Sequence, residues 1–258
     1  MREIATAIST AKKYNAQVVV TTPRITMDRE LDEYEQFLAN IDNLNPSGVM
    51  VSNSGMLRLA RHTCTQPLQA DFSLNVFNHL TTKWLATNGA VKAVISPEAT
   101  YSQITELITK SALPLEMIVH GPIEAMVSDH CVPSAVLGTD SLSCGDSCSD
   151  KRYALLDTAG QRHPIMIDQY CRSHILFAKD LCLLPYLGAL AGIAQSRIEG
   201  QHYTPEQLAI ITRTYREELD KLAANQNQYQ FDQKQLKKIT AISPREVGIG
   251  VFRYRISR

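Results

Sequence analysis

The chain has 258 residues, of which 44% are hydrophobic and 20% are charged, and its 26 basic residues balance its 26 acidic ones. This composition excludes an intrinsically disordered chain and a protein that attracts nucleic acid through its net charge alone, although a local basic patch stays open. The first residues lack the apolar core of a signal peptide, and no window is long and apolar enough to span a bilayer. We therefore expect a cytoplasmic protein without a membrane span.

The first 121 residues alternate between short apolar runs and segments with helical spacing. The apolar runs, predicted as strands, are QVVVTTP, SGVMVSN, LQADFSLN, VKAVISPE and LEMIVHG. The helices predicted around them cover residues 2–14, 28–44, 57–61, 76–88 and 101–110. This alternation predicts parallel strands with helices on both faces, and its spacing is typical of a (β/α) barrel of the TIM type. Because eight strands close such a barrel, we expect one that is incomplete at the N-terminus.

The pattern changes after the fifth strand. Residues 132–150 are rich in Ser, Gly, Asp and Cys and are predicted as a long functional loop. The stretch RYALLDTAGQRHPIMID is predicted as a β-hairpin that turns at residues 157–160. We then expect an amphipathic helix at residues 174–191, a further parallel strand in AQSRIEG, and a helix that begins at Thr204-Pro205.

These elements predict a partial barrel over residues 1–226, with a cysteine-rich insertion at 122–172, and a C-terminal extension at 227–258. The stretches LNVFN, ISPE, IVHG, KDLCLLPYL and RIEG, with the cysteine-rich loop among them, resemble in sequence and order the collagenase-like peptidases, peptidase family U32. The resemblance covers about residues 10–220. The family's barrel opens with one more strand–helix–strand unit than this chain contains.

The resemblance implies a function that the family name does not state. The better-understood members support oxygen-independent hydroxylation of tRNA, of ribosomal RNA or of a precursor in ubiquinone biosynthesis, and several hold a [4Fe–4S] cluster with four cysteines. It also implies RNA or an aromatic small molecule as substrate and prephenate as oxygen donor. A sister family member is an implied partner, because some members work in pairs.

Four of the six cysteines follow the spacing C-x12-C-x3-C-x22-C: Cys131, Cys144, Cys148 and Cys171. Four thiolates can hold a [4Fe–4S] cluster or a tetrahedral zinc ion. Structural zinc sites usually contain two close pairs of cysteines, whereas only Cys144 and Cys148 are close here, so the spacing favours a cluster. Zinc and thiols without a metal stay open as alternatives.

Catalytic groups of parallel barrels lie at the C-terminal ends of the strands. Besides Asn53, this rule selects six candidate catalytic residues: Asp71, Asn75, Glu98, His120, Arg197 and Glu199. A histidine, carboxylates and an arginine in one place could bind a carboxylate-bearing molecule and move protons. Structural interpretations compete with this one, because such residues also cap helices and pair with each other, as Arg197 and Glu199 could do.

Proteolysis finds little support in the residues. No HExxH or GxSxG motif occurs, and LLDTAG occurs once, whereas aspartic catalysis needs two carboxylates. Cys182 is predicted as a core thiol on a helix, and Cys64 with His62 lacks the local motif of a nucleophile and its base. The function we expect is that of an iron–sulfur enzyme in hydroxylation of an RNA base or an aromatic or quinone precursor. The alternatives are a collagenase-like peptidase and a non-catalytic subunit of a heterodimer.

Overall fold

The structure is a computed structural model that describes residues 1–138, 148–149 and 151–252. The chain divides into two compact units. The first contains Met1–Met117, Gly192–Ser196 and the described residues after Gly250, and the second contains Ile118–Ala191 and Arg197–Gly250. No described helix is both long enough and apolar enough to cross a membrane.

The first unit alternates helices and strands along the chain, as predicted. Its helices are α1 (Arg2–Lys13), α2 (Leu31–Leu44), α3 (Ser54–Thr63), α4 (His79–Thr87) and α5 (Tyr101–Lys110). Its strands are β1 (Val19–Thr21), β2 (Gly48–Val51), β3 (Leu68–Ala70), β4 (Ala90–Val94) and the start of β5 (Leu115–Gly121). These strands pair in chain order and are parallel. Every residue of β2 and β3 is buried, as expected for parallel strands that are covered on both faces.

Two helices of the first unit, α4 and α5, begin where side chains cap them. The Asn78 side chain accepts hydrogen bonds from the backbone N–H groups of Leu80 and Thr81, at 3.0 and 3.1 Å, and so sets the start of α4. The Thr100 N–H donates to the Gln103 side chain at 2.8 Å, which is the predicted capping box of α5. This local signal explains why the start of α5 was predictable from the sequence.

The parallel strands form an α/β sheet, and among the described strands no closed barrel is found. β1 pairs with β2 and is an edge strand of the described sheet. The α/β class of the prediction is therefore confirmed, whereas the TIM-type barrel stays a prediction.

The second unit contains an antiparallel sheet. Its strands are β6 (Glu124–Ser128), β7 (Tyr153–Leu156), β8 (Arg162–Ile167) and β9 (Ser173–Leu176), which pair in the order β6-β9-β8-β7. β7 and β8 form the predicted hairpin. At its turn the Asp157 carboxylate accepts hydrogen bonds from the N–H groups of Ala159 and Gln161, at 2.9 and 2.8 Å, so the single LLDTAG motif builds a turn.

The predicted helix at residues 174–191 is wrong. The chain instead forms β9, then β10 (Asp180–Cys182), then a 3-10 helix at Leu184–Leu190. β9 lies between β6 and β8, so both of its edges are paired, and its apolar run is that of a buried strand. Pro185 lacks an N–H and disfavours a helical residue before it. Cys182 is therefore on a strand, and at 3% exposure it is the predicted core thiol.

The remaining elements lie in the second unit, apart from the first two residues of β11. β10 pairs antiparallel with the end of β5. β11 (Gln195–Ile198), the strand predicted in AQSRIEG, also pairs with β5, and β12 (Val247–Gly248) pairs parallel with β10. The helices are α6 (Val132–Leu137), α7 (Pro205–Ala224) and α8 (Gln233–Ile242). α7 begins as predicted, because the Thr204 hydroxyl accepts a hydrogen bond from the Gln207 N–H at 3.3 Å. α8 and β12 belong to this unit although they lie in the predicted C-terminal extension.

Candidate functional site

The six candidate catalytic residues are divided between the two units. The first unit holds Asp71, Asn75 and Glu98, and the second holds His120, Arg197 and Glu199. A common site for all six therefore stays a prediction.

The three candidates of the first unit make local contacts. Asp71 is 3% exposed and accepts a hydrogen bond from the Ser52 hydroxyl at 3.4 Å. Asn75 has a left-handed backbone (φ 55°) and ends a short 3-10 helix, while Asn78 caps the helix that follows. Glu98 is exposed in the turn before α5. Of the three, Asp71 is the one whose burial in a polar network is typical of a positioned side chain.

Arg197 and Glu199 of the second unit pair with each other. The Arg197 Nε lies 2.5 Å from a Glu199 carboxylate oxygen. The Glu199 N–H also donates to the His120 backbone oxygen at 2.9 Å. Gly121 has φ +110°, and a Cβ there would collide with the Glu199 backbone. The RIEG and IVHG motifs therefore pack backbone to backbone. Arg197 and Glu199 pair with each other, as the structural interpretation expects, and their catalytic role stays a prediction.

His120 is fully buried at the end of β5. Its Nδ1 lies 3.3 Å from the Tyr215 hydroxyl, and its Nε2 lies 3.3 Å from the Tyr203 hydroxyl. Burial lowers the pKa of His120 to about 4, because a charged imidazole is disfavoured away from water. His120 is therefore neutral at physiological pH.

Both tyrosines direct their protons away from His120. The Tyr203 hydroxyl donates to Asp180 Oδ2 at 2.6 Å, and the Tyr215 hydroxyl donates to the Val119 backbone oxygen at 2.9 Å. Since a phenol has one proton, each oxygen can only accept from His120. A neutral imidazole has one N–H, so one ring nitrogen donates while the other faces an oxygen lone pair. A second proton on His120 would find an acceptor already in place.

Asp180 connects this buried group to a cation. It is 1% exposed, and its Oδ1 forms an ion pair with Arg245. Its N–H donates to the Glu246 backbone oxygen at 2.9 Å, which ties β10 to the chain after α8. Burial, and then the bond to Asp180, raise the pKa of Tyr203 above its usual range. Tyr203 thus stays protonated and joins Asp180 to His120.

A cavity of about 530 Å³ opens at the Asp180–Arg245 pair. Its wall also includes the side chains of Cys148, Lys151, Arg152 and His202. Burial, and then the nearby Arg245, lower the pKa of His202. Three basic side chains thus face one carboxylate, so the cavity suits an anionic group such as a carboxylate or a phosphate.

Cys131 and Cys171 lie at the same end of the antiparallel sheet. Cys131 follows β6, and Cys171 precedes β9, which pairs with β6 in antiparallel register. The Ser173 hydroxyl donates to the His130 backbone oxygen at 2.9 Å and accepts from the Val132 N–H at 3.0 Å. The chain on both sides of Cys131 is therefore held against the first residue of β9, two positions after Cys171.

Cys148 lies before β7, at this same end of the sheet. The first residue of β7, Tyr153, pairs with Ile165 near the end of β8, and Ile167 at the end of β8 pairs with Ser173. All three described cysteines of the predicted ligand set thus lie in chain segments at the same end of the sheet. Cys148 also lines the cationic cavity of about 530 Å³.

A polar network shapes the turn that carries Cys171. The Asp168 carboxylate accepts hydrogen bonds from the N–H groups of Tyr170 and Arg172, both at 2.9 Å, and Cys171 itself has a left-handed backbone (φ 60°). His174 bridges Asp168 and Glu124, with its Nε2 at 3.2 Å and its Nδ1 at 2.6 Å from their oxygens. The hydrogen bond to Glu124, and then the one to Asp168, raise the pKa of His174.

These cysteines fit a thiolate-held metal group in chemistry, and all three lie near the same end of the sheet. Cys144, the fourth predicted ligand, lies outside the described residues. Within residues 1–138, 148–149 and 151–252, no three His, Cys, Asp or Glu side chains are grouped closely enough to hold a metal ion. A cluster therefore requires Cys144 and an approach of the cysteines to one another, and the ligand set stays a prediction.

The two cysteines outside this set do not have the properties of nucleophiles. Burial, and then the nearby Asp42, raise the pKa of Cys64 to about 11. Burial also raises the pKa of Cys182. Both are thiols at neutral pH, whereas a catalytic cysteine needs a thiolate. The structure thus gives no support to a Cys64–His62 nucleophile.

Sequence reasoning missed the partners of His120 and the walls of the cavity: Asp180, His202, Tyr203, Tyr215 and Arg245. Asp180 lies within KDLCLLPYL, and His202 follows RIEG, so both are in or near stretches that carry the family resemblance. Their pairing depends on tertiary contacts, for which a single sequence carries no signal.

Comparison with known proteins finds relatives along most of the chain. The model of peptidase family U32 matches residues 1–256. tRNA hydroxylation protein P1 of Bacillus subtilis (strain 168) is 23% identical over an alignment of 266 residues, which covers 98% of this chain and 61% of that protein. tRNA hydroxylation protein P2 of the same organism is 23% identical over 260 residues, which cover 97% of this chain and 84% of that protein.

A third relative acts on ribosomal RNA by its name. 23S rRNA 5-hydroxycytidine C2501 synthase of Escherichia coli (strain K12) is 26% identical over 224 residues, which cover 85% of this chain and 33% of that protein. This chain thus spans about three-fifths of the length of protein P1 and a third of that of the synthase. Among solved structures, the U32 peptidase Mk0906 matches with a TM-score of 0.40 and 15% identity, over 47% of this chain and 52% of that one.

Proposed function

Because this chain belongs to peptidase family U32, we propose that it takes part in the hydroxylation of an RNA base with the help of an iron–sulfur cluster. Its relatives are named for hydroxylation of tRNA and of 23S rRNA. The proposed reaction needs no molecular oxygen and takes its oxygen atom from a donor of the prephenate type. Such a donor carries carboxylates, which the cationic cavity would accept.

One observation carries this proposal. One end of the antiparallel sheet lies next to the chain segments that carry Cys131, Cys148 and Cys171. Of these, Cys148 lines a cavity whose wall has more cations than carboxylates. With Cys144, these three cysteines would hold the [4Fe–4S] cluster, which supplies iron redox chemistry when bound.

The residues of the cavity have separate roles in the proposal. Arg245 binds the anionic part of the small substrate and is itself held by Asp180. His202, whose pKa is lowered, is neutral and can accept or donate a proton at the cavity wall. His120 is a positioning residue, since it touches Tyr203 and not the cavity.

The finer architecture is also a proposal. The parallel sheet of the first unit would be part of a TIM-type barrel, and a sister family member would be the partner that completes it. The alternatives can be separated from the main proposal: zinc in the same cysteines by metal analysis, and a peptidase by cleavage of gelatin.

The test is metal and sulfide analysis of protein purified without oxygen. We expect about four iron and four sulfide per chain. Cys148→Ser loses most of both, whereas the matched control Cys64→Ser keeps them. RNA nucleosides from cells that lack the gene are then examined by mass spectrometry, and we expect the wild-type gene to restore a hydroxylated nucleoside and Cys148→Ser to fail. A colourless wild-type protein after reconstitution with iron and sulfide would refute the cluster. Zinc found in that protein would support the alternative of a zinc site in the same cysteines.

A further inference from the structure

A groove on the second unit is lined by five cations: Lys151, Arg152, Arg162, Lys179 and Arg245. We call it the basic groove. It consists of the 530 Å³ cavity described above and a neighbouring cavity of about 610 Å³. The two share Arg152, Tyr153, Pro164 and Arg245 as wall residues, so they are continuous.

Charge is not balanced in the basic groove. Its two carboxylates are already engaged, Asp180 with Arg245 and Glu246 with Lys179 at 2.9 Å. The other three cations, Lys151, Arg152 and Arg162, are exposed, and no carboxylate in the described part of the chain pairs with them. On a chain with a formal net charge of +0, this local excess is available to an anionic partner.

The hairpin sets Arg152 and Arg162 apart along the direction of its strands. Arg152 and Ala154 on the β7 side, and Arg162 and Pro164 on β8, line the same cavity. Arg162 pairs with Leu156, four positions after Arg152. At about 3.3 Å per residue, the two arginines are separated by about 13 Å along the strands. This span is longer than one phosphate group and fits a chain of them.

We propose that the basic groove binds the phosphate backbone of the RNA and leads the strand to the cavity that Cys148 lines. The inference rests on the proposed function, because it takes RNA as the substrate. Arginine forms paired hydrogen bonds with phosphate oxygens, and two of the three available cations are arginines. Tyr153, a wall residue of both cavities, offers a ring on which a base can stack.

The test measures RNA binding as a function of salt. The probes are a labelled single-stranded RNA of about 20 nucleotides and bulk tRNA, followed by fluorescence anisotropy from about 50 to about 300 mM salt. The groove variant is Lys151→Gln/Arg152→Gln/Arg162→Gln. The matched control is Lys234→Gln/Lys237→Gln/Lys238→Gln, which removes the same charge from exposed positions on α8 of the same unit.

We expect the groove variant to bind both probes about tenfold or more weakly at the low-salt end. We also expect the slope of log affinity against log salt to fall by about 2, since each phosphate contact contributes about 0.7 for single strands. The control should stay within about twofold of wild type.

Three results would overturn the inference: no RNA binding by the wild type, equal losses in the two variants, or displacement of RNA by poly-aspartate of the same charge as readily as by RNA. Iron content is measured on the same samples. Lost RNA binding with iron retained supports the groove. RNA binding without iron in the wild type refutes the proposed cluster and leaves the groove standing, so the two failures are distinguishable.

Discussion

The Tyr203 hydroxyl donates a 2.6 Å hydrogen bond to Asp180, and both side chains are almost excluded from water. The bond fixes which way the hydrogen bond between Tyr203 and His120 can run, because it commits the single phenolic proton of Tyr203 to the carboxylate. The Tyr203 oxygen therefore turns its lone pairs to His120, at 3.3 Å. Asp180 also pairs with Arg245, so the chain of polar contacts from His120 extends to the cavity wall.

Removing the Tyr203 hydroxyl should destabilise the protein. In Tyr203→Phe, a buried carboxylate oxygen of Asp180 loses its donor, and hydrogen bonds to charged groups contribute about 1.5–3 kcal/mol. We expect urea unfolding to shift to lower urea by an amount that corresponds to about 2 kcal/mol. The control Tyr14→Phe removes a hydroxyl from a residue that is 79% exposed and should leave unfolding unchanged. Equal midpoints for the two variants would contradict the role of this bond.

His120 should remain neutral over the whole physiological range. Burial lowers its pKa to about 4, so the folded protein holds an uncharged ring. We expect the His120 ring resonances in a nitrogen–proton correlation spectrum to stay constant from about pH 5.5 to about pH 8. Their assignment comes from the signals that His120→Gln removes. A titration of these signals within that range would show that the two tyrosine oxygens hold a proton on the ring more strongly than burial removes it.

The elements with local signals were predictable from the sequence. The cap at Thr100, the Thr204-Pro205 helix start and the turn at Asp157 each depend on contacts within about four residues, and all three are where the sequence placed them. The parallel strands of the first unit were found because most of their residues are apolar.

The site could be predicted only in part. His120 was selected because it ends a strand, but Tyr203 and Tyr215 are 83 and 95 positions away in the chain. The helix predicted at residues 174–191 failed because short apolar runs do not distinguish a strand from a helix by their spacing alone. That error hid Asp180, which a strand places beside the end of β5.

His174 should make the stability of the protein depend on pH. Its pKa is raised in the folded state by Glu124 and then by Asp168, so its charged form stabilises the fold. This stabilisation is complete below the unfolded pKa of about 6.5 and is lost as the pH rises through the higher folded pKa. We therefore expect the stability difference between wild type and His174→Gln to be largest near pH 6 and to shrink towards pH 9, measured by urea unfolding at about five pH values.

The control for this experiment is His62→Gln, which changes an exposed histidine of the first unit. It should leave the pH profile of the wild type unaltered. A constant difference between wild type and His174→Gln across the range would mean that the hydrogen bonds of His174 do not depend on its charge.

Gly121 should tolerate no side chain, because the backbone of Glu199 packs against it. Its φ is +110°, and an added Cβ would meet the Glu199 carbonyl oxygen, whereas Gly160 (φ +78°) has nothing within 4 Å of such an atom. Gly121→Ala therefore has both backbone strain and a collision, and Gly160→Ala has the strain alone. We expect urea unfolding to report a loss of more than about 3 kcal/mol for Gly121→Ala and about 1–2 kcal/mol for Gly160→Ala. Similar losses would contradict the close approach that holds the IVHG and RIEG motifs together, and with it the placement of His120 next to Tyr203.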